Sequence, residues 1–147
     1  MSHILIVDDD PDLRAILKLF LGTASYVVRE AVDAASALDS IRQDPPTVAL
    51  LDVHMPRANG LWLANQVRKV SPTTAMILTT GDSQVSPLET LRPGIVSYLV
   101  KPLDRTTLLR AVEEALLWSA SATDRAERDA AFQALVVPPA QLSAPVK

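Results

Sequence analysis

The sequence predicts an α/β fold, a doubly wound parallel sheet of five strands with helices on both faces. Three observations carry this. Five short apolar runs alternate with stretches of helical periodicity along residues 4–116. Three of the runs are nearly continuous in apolar residues rather than alternating, as expected for strands covered on both faces. Capping residues stand where the helical stretches begin. Five βα units in succession imply parallel strands joined by right-handed crossovers.

The elements follow in order. The first apolar run, residues 4–7, leads into a stretch in which Leu13, Ile16, Leu17, Phe20 and Leu21 keep the i, i+3, i+4, i+7, i+8 spacing of one helix face. Asp10 suits the cap of that helix, Pro11 its first position and Gly22 its end. A second run covers 26–28, and Asp33 caps a helix that turns Ala37, Leu38 and Ile41 inward. The third run is 48–51. Gly60 then opens a helix with Leu63, Val67 and Val70 facing the core. After the run 75–78, a fourth helix over about 86–91 is confined between Pro87 and Pro93. The last run, 96–100, precedes a helix capped by Asp104 with Leu108, Leu109, Val112, Ala115 and Leu116 on one face.

From about Ala120 the composition shifts. "SATDRAERDAAFQAL" is polar and Ala-rich and extends the fifth helix, whereas "VVPPAQLSAPVK" holds three prolines and reads as a linker or loose end. The expected organisation is one compact domain over residues 1–120 and a helical extension with a Pro-rich tail over 121–147.

Composition narrows the function classes. With 48% hydrophobic residues the chain can bury a sizeable core, and a net charge of -3 gives no global attraction for nucleic acid. The absence of cysteine excludes disulfides, thiolate metal sites and thiol catalysis. No basic stretch followed by a long apolar core opens the chain, and no apolar run approaches the roughly 18 residues of a membrane span. The expectation is a soluble cytoplasmic protein without a membrane partner and without direct nucleic-acid binding.

In open parallel sheets the working site lies outside the carboxyl ends of the strands. Asp8 and Asp9 end the first strand, Asp52 the third, Thr80 the fourth and Lys101 the fifth, so all should meet on one rim. Carboxylates gathered there repel one another, and a divalent cation removes that cost. Mg²⁺ fits, because it takes oxygen ligands and accepts few protein carboxylates. A cation beside a lysine is what phosphoryl transfer needs, and one carboxylate can then serve as nucleophile. Asp52 stands alone at the centre of the rim with the Asp8/Asp9 pair beside it. The Lys101–Pro102 bond fixes where the amine points, although its isomer is open from sequence. Asp10 and Asp12 read as helix-start residues, the His54 side chain as solvent-facing, and Trp62 and Trp118 as covering helix faces.

"ILIVDDDPDLR", "LLDVHMPRANG", "ILTTGD" and "SYLVKPLD" together, in this order, closely resemble the receiver domain of bacterial two-component response regulators over about residues 2–120. The resemblance implies the flavodoxin-like (βα)5 arrangement with strand order 2-1-3-4-5. It implies Asp52 as phosphoacceptor, and Mg²⁺ held by Asp8, Asp9, Asp52 and the backbone carbonyl of His54, with Asp9 a direct ligand. Lys101 would pair with the phosphoryl group. Thr80 and Tyr98 would be the switch pair that reshapes the face of the fourth helix, fifth strand and fifth helix. The donor would be a sensor histidine kinase or phosphotransfer protein, and the chain would be a signalling module rather than a metabolic enzyme. Output would run through a downstream protein partner or an effector domain beyond Lys147, and a homodimer through the same face is compatible with the resemblance. The "LRPGIVS" stretch departs from the family's alanine-rich helix end. A rival from another class is a small haloacid dehalogenase-like phosphatase using Asp8, with Asp10 as the second acid. Pro11 replaces the Thr or Val usual after that pair, and the chain is short for it.

Overall fold

In the computed structural model, which describes residues 3–81 and 93–136, five strands form one parallel sheet in the order β2-β1-β3-β4-β5. The strands are β1 (His3–Val7), β2 (Val27–Ala31), β3 (Val48–Asp52), β4 (Ala75–Thr80) and β5 (Ile95–Val100). The helices are α1 (Pro11–Gly22), α2 (Ala34–Gln43), α3 (Gly60–Val70) and α4 (Arg105–Val136). The helix expected over about 86–91 lies outside the described residues, and α4 is the fifth helix expected from the sequence.

The period of two along each strand divides the core. Leu5, Val7, Ala49, Leu51, Met76 and Leu78 face α2 and α3, where Ala37, Leu38, Ile41, Leu63 and Val67 meet them. Ile4, Ile6, Val48, Leu50, Ala75 and Ile77 face the other side, against Leu17 and Leu21 of α1 and Leu108, Val112 and Ala115 of α4. Each fully buried Leu or Ile contributes about 1.5–3 kcal/mol relative to exposure, so two-sided burial is what fixes the central strands. No helix among the described residues is long and apolar enough to cross a membrane.

Several expectations shift. The second strand runs Val27–Ala31 rather than 26–28, with Val27 opposite His3 in the register. Tyr26 instead closes the turn after α1, its N–H donating to Leu21 O, and the left-handed residue there is Ser25 (φ 65) rather than Gly22. The strand continues through Arg29 and Glu30 because an edge strand can place charge at its solvent side, where Asp44, Arg14 and Lys18 meet it. Ile16 and Val70, expected inward, are 47% and 37% exposed. Each is adjacent to a buried position on its helix edge, and neither sheet face reaches that far round. As expected, α3 opens at Gly60, and Asn59 caps it by accepting from Trp62 N at 2.8 Å. Asp10, Asp33 and Asp104 cap as expected, accepting from Leu13 N, Ser36 N and Thr107 N respectively.

α4 runs unbroken from Arg105 through residue 120 to Val136. Its packed face reaches Ala122, which is buried, and just before residue 120 Ser119 Oγ donates to Thr73 O at 2.6 Å. Trp118 is partly buried against the core, whereas Trp62 is nearly half exposed.

Candidate functional site

Four strand ends converge. Asp8 directly follows β1, Asp52 closes β3, Thr80 closes β4 and Lys101 directly follows β5. Asp8, Asp52 and Thr80 are buried, while Asp9 and the side chain of His54 are exposed. Parallel pairing sets the level of these residues. Thr79 lies opposite Asp52 and Val100 opposite Thr80, and Lys101 N donates to Thr80 O at 2.7 Å. The Lys101–Pro102 peptide bond is cis.

The side chains close into one cluster. Lys101 Nζ lies 2.9 Å from Asp8 Oδ2 and 3.3 Å from Asp52 Oδ1. Carboxylate oxygens of Asp8, Asp9 and Asp52 all fall within 4.8 Å of one another. Asp8 Oδ1 accepts from Asp10 N at 2.9 Å, and Asp52 Oδ1 accepts from His54 N at 3.3 Å. Three anionic groups thus face one ammonium. At about 4 Å and an effective dielectric constant of about 20, each unit-charge pair is worth about 4 kcal/mol before desolvation, so one lysine leaves the cluster short of positive charge.

The titration of Asp52 and of Lys101 reflects both burial and neighbouring charge. Burial first, and the Asp8 charge second, push the Asp52 carboxyl above its ordinary value; Lys101 and the His54 N–H oppose this without winning. Partial burial works against the Lys101 charge, but the Asp8 hydrogen bond and the two carboxylates outweigh it and raise the ammonium above the usual lysine value. A hard dication would relieve the repulsion, and the donor set is all oxygen, as Mg²⁺ requires. The residues present fit that ion.

Thr80 and Tyr98 occupy different positions on their strands. Thr80 is fully buried at the end of β4. Tyr98 lies opposite Leu78 on β5 and packs, partly buried, against the core on the α2–α3 side. The helix that would complete the expected switch face lies outside the described residues.

Sequence reasoning missed two contributors. Arg14 Nη1 donates to Asp8 O at 2.7 Å; only the register of β2 reveals why that guanidinium stays there. Gly60 N donates to Val53 O at 3.0 Å, bringing the start of α3 against the main chain of Asp52. The Asn59-Gly60 pair ahead of a helical pattern was the available signal.

A family model described as the response regulator receiver domain matches residues 4–113. The transcriptional regulatory protein GlrR of Escherichia coli K12 is 32% identical over 130 residues, which cover 88% of this chain and 29% of GlrR. The protein PilH of Pseudomonas aeruginosa is 34% identical over 119 residues, covering 79% of this chain and 98% of PilH. Among solved structures, a CheY-like receiver domain protein from Methanospirillum hungatei JF-1 superposes with a TM-score of 0.77 at 29% identity, covering 82% of this chain and 98% of that one. TrrA from Thermotoga maritima, solved in complex with Mg²⁺ and BeF, gives 0.72 at 31% identity, covering 79% and 100%. The chain therefore spans less than a third of GlrR but nearly all of PilH.

The phosphatase alternative finds no support. Asp10, its required second acid, is exposed and spends its carboxylate on the N–H groups of Asp12 and Leu13. The family match is to receivers.

Proposed function

The chain belongs to the response regulator receiver domain family, and from that membership we propose that Asp52 accepts a phosphoryl group from a phosphohistidine. The donor is a sensor histidine kinase or a histidine-containing phosphotransfer protein. A carboxylate oxygen of Asp52 attacks phosphorus as the P–N bond breaks, and the imidazole leaves with the bonding pair. Water later attacks the acyl phosphate, releasing inorganic phosphate and restoring the carboxylate. The observation that carries the reading is the lysine ammonium at 2.9 Å and 3.3 Å from Asp8 and Asp52, with the Asp9 carboxylate in the same cluster.

Each residue has a role in this reading. Lys101 neutralises charge on the phosphoryl oxygens and orients Asp52. Asp9, Asp8, Asp52 and the His54 backbone carbonyl hold Mg²⁺, which when bound supplies charge neutralisation at the transferring group. The Thr80 hydroxyl engages a phosphoryl oxygen, and Tyr98 turns inward in response, a shift between two packings. The reshaped surface acts on a downstream protein partner or a linked effector domain, with a homodimer through that face as the alternative mode. The setting is cytoplasmic two-component signalling.

Acetyl phosphate with Mg²⁺ should label the protein without a kinase. Borohydride reduction of the acyl phosphate, followed by peptide mass spectrometry, should place the mark on Asp52; a mark on Asp8 or Asp10 would overturn the reading. Mg²⁺ should also raise the melting temperature. At ten times its dissociation constant a ligand specific for the folded state adds about 1.4 kcal/mol, and Asp9→Asn should remove most of that gain in a thermal-shift titration.

A further inference from the structure

Among the described residues, the exposed Asp9 carboxylate takes neither a hydrogen bond nor an ion pair, so its position depends on the main chain that carries it. That main chain is held from outside the carboxylate cluster. Asp8 O, the oxygen of the Asp8–Asp9 peptide, accepts from Arg14 Nη1 at 2.7 Å. The same guanidinium donates through Nε to Glu30 Oε1 at 3.2 Å. Glu30 Oε2 is in turn 3.1 Å from Lys18 Nζ. Arg14 sits one turn into α1 with a side chain only 13% exposed, and Glu30 belongs to edge strand β2. Asp8 N completes the frame by donating to Ala31 O at 3.3 Å.

We propose that Arg14, clamped by Glu30, is a positioning residue that fixes the Asp8–Asp9 peptide plane and so sets cation affinity at the acidic cluster. This rests on the metal-dependent phosphoacceptor reading of the site. A peptide plane free to rotate swings the Asp9 Cα and takes its carboxylate out of reach of the Asp8 and Asp52 oxygens. The guanidinium suits the task because its rigid fork serves two acceptors at once, one on the β1–α1 turn and one on β2. Glu30 has a second effect: it keeps Arg14 from folding over the carboxylates, where the guanidinium would compete with a cation.

The sign of one substitution separates geometry from charge. Arg14→Ala removes a positive charge beside an acidic site, so electrostatics alone predicts tighter cation binding. Positioning predicts the reverse, a loss of about 10-fold, the lower range for groups that orient metal ligands. The test is calorimetric titration of the full chain with Mg²⁺, repeated with Mn²⁺ followed by its paramagnetic resonance. Arg14→Ala and the charge-balanced pair Arg14→Ala/Glu30→Gln should both weaken binding about 10-fold. The Mg²⁺ concentration for half-maximal acetyl phosphate labelling should rise by the same factor. Arg14→Lys, a point charge without the fork, should recover only part of the loss, and it decides the matter should Arg14→Ala not fold. A merely structural role would lower the metal-free melting point and leave the affinity of the folded protein where it was. Equal or tighter binding by the variants, beside a wild type that binds Mg²⁺ and is labelled on Asp52, overturns the proposal alone. A wild type that neither binds Mg²⁺ nor takes label on Asp52 overturns the functional reading beneath it.

Discussion

Asp52→Asn should abolish labelling by acetyl phosphate while making the metal-free protein harder to unfold at neutral pH. The first effect follows from the proposed role of Asp52, since the substitution removes the attacking oxyanion. A loss of three orders of magnitude or more is expected, about 4 kcal/mol of barrier at 1.36 kcal/mol per factor of ten. The second follows from what burial and the Asp8 charge do to Asp52, whose carboxyl titrates above its ordinary 3.8. Between that value and the raised one, the folded protein holds a proton that the unfolded chain has released. Stability therefore falls as pH rises through the window, and above it the full cost is present. The Asn variant escapes that cost, so its melting point at pH 7 should exceed that of wild type by a few degrees. Below the ordinary carboxylate range the advantage should vanish, because the wild-type carboxyl is then protonated in both states. Saturating Mg²⁺ should reverse the order, since only wild type keeps the full ligand set. Melting curves across pH, with and without Mg²⁺, check every part. Persistent labelling of the variant would show that Asp52 is not the nucleophile, and identical pH profiles would show that it is not a strained anion.

The site could be read from the sequence because its residues sit at strand ends, and alternating βα units send all strand ends of one polarity to the same rim. Asp8, Asp52, Thr80 and Lys101 needed no side-chain detail to be placed together. Central strands were legible for the same kind of reason: β1, β3 and β4 are covered on both faces, so their apolar runs are nearly continuous. The edge strand was not. Arg29 and Glu30 break the apolar run of β2, and only their partners Asp44, Arg14 and Lys18, distant in sequence, make charge acceptable there. Helix periodicity gave the direction of each buried face but not its width. Ile16 lies about 100° around α1 from Leu17, and whether that edge is covered depends on how the neighbouring elements sit. Arg14 was invisible as a site residue because its role needs the β1–β2 register, which sets Glu30 opposite Ile6 on the strand that leads to Asp8.

Gly60→Ala should be the most damaging single methyl in the molecule outside the central strands. Intrinsic propensity argues the other way, since Ala is better than Gly in a helix by up to about 1 kcal/mol. Space decides instead. A Cβ on Gly60 would run into the carbonyl oxygen of Asp52 and stand 2.9 Å from its carbon and 3.0 Å from Val53 Cα. These are main-chain atoms of the sheet edge, not the movable end of a side chain. Relief requires α3 to back away from β3, which breaks the Gly60 N to Val53 O hydrogen bond and shifts the Asn59 cap. Overpacking of this kind costs about 3 kcal/mol, on the order of 10 °C in melting temperature for a chain of this size. The strain falls on the peptide group of Asp52, the proposed phosphoacceptor, so labelling of the remaining folded protein should slow as well. Gly22→Ala supplies the internal control: nothing lies within 4 Å of its added Cβ. There propensity should prevail, and the melting point should hold or rise slightly. If Gly60→Ala melts with Gly22→Ala and is labelled at the wild-type rate, the start of α3 does not press on Asp52, and the position of that carboxylate is set by Lys101 and the strand pairing alone.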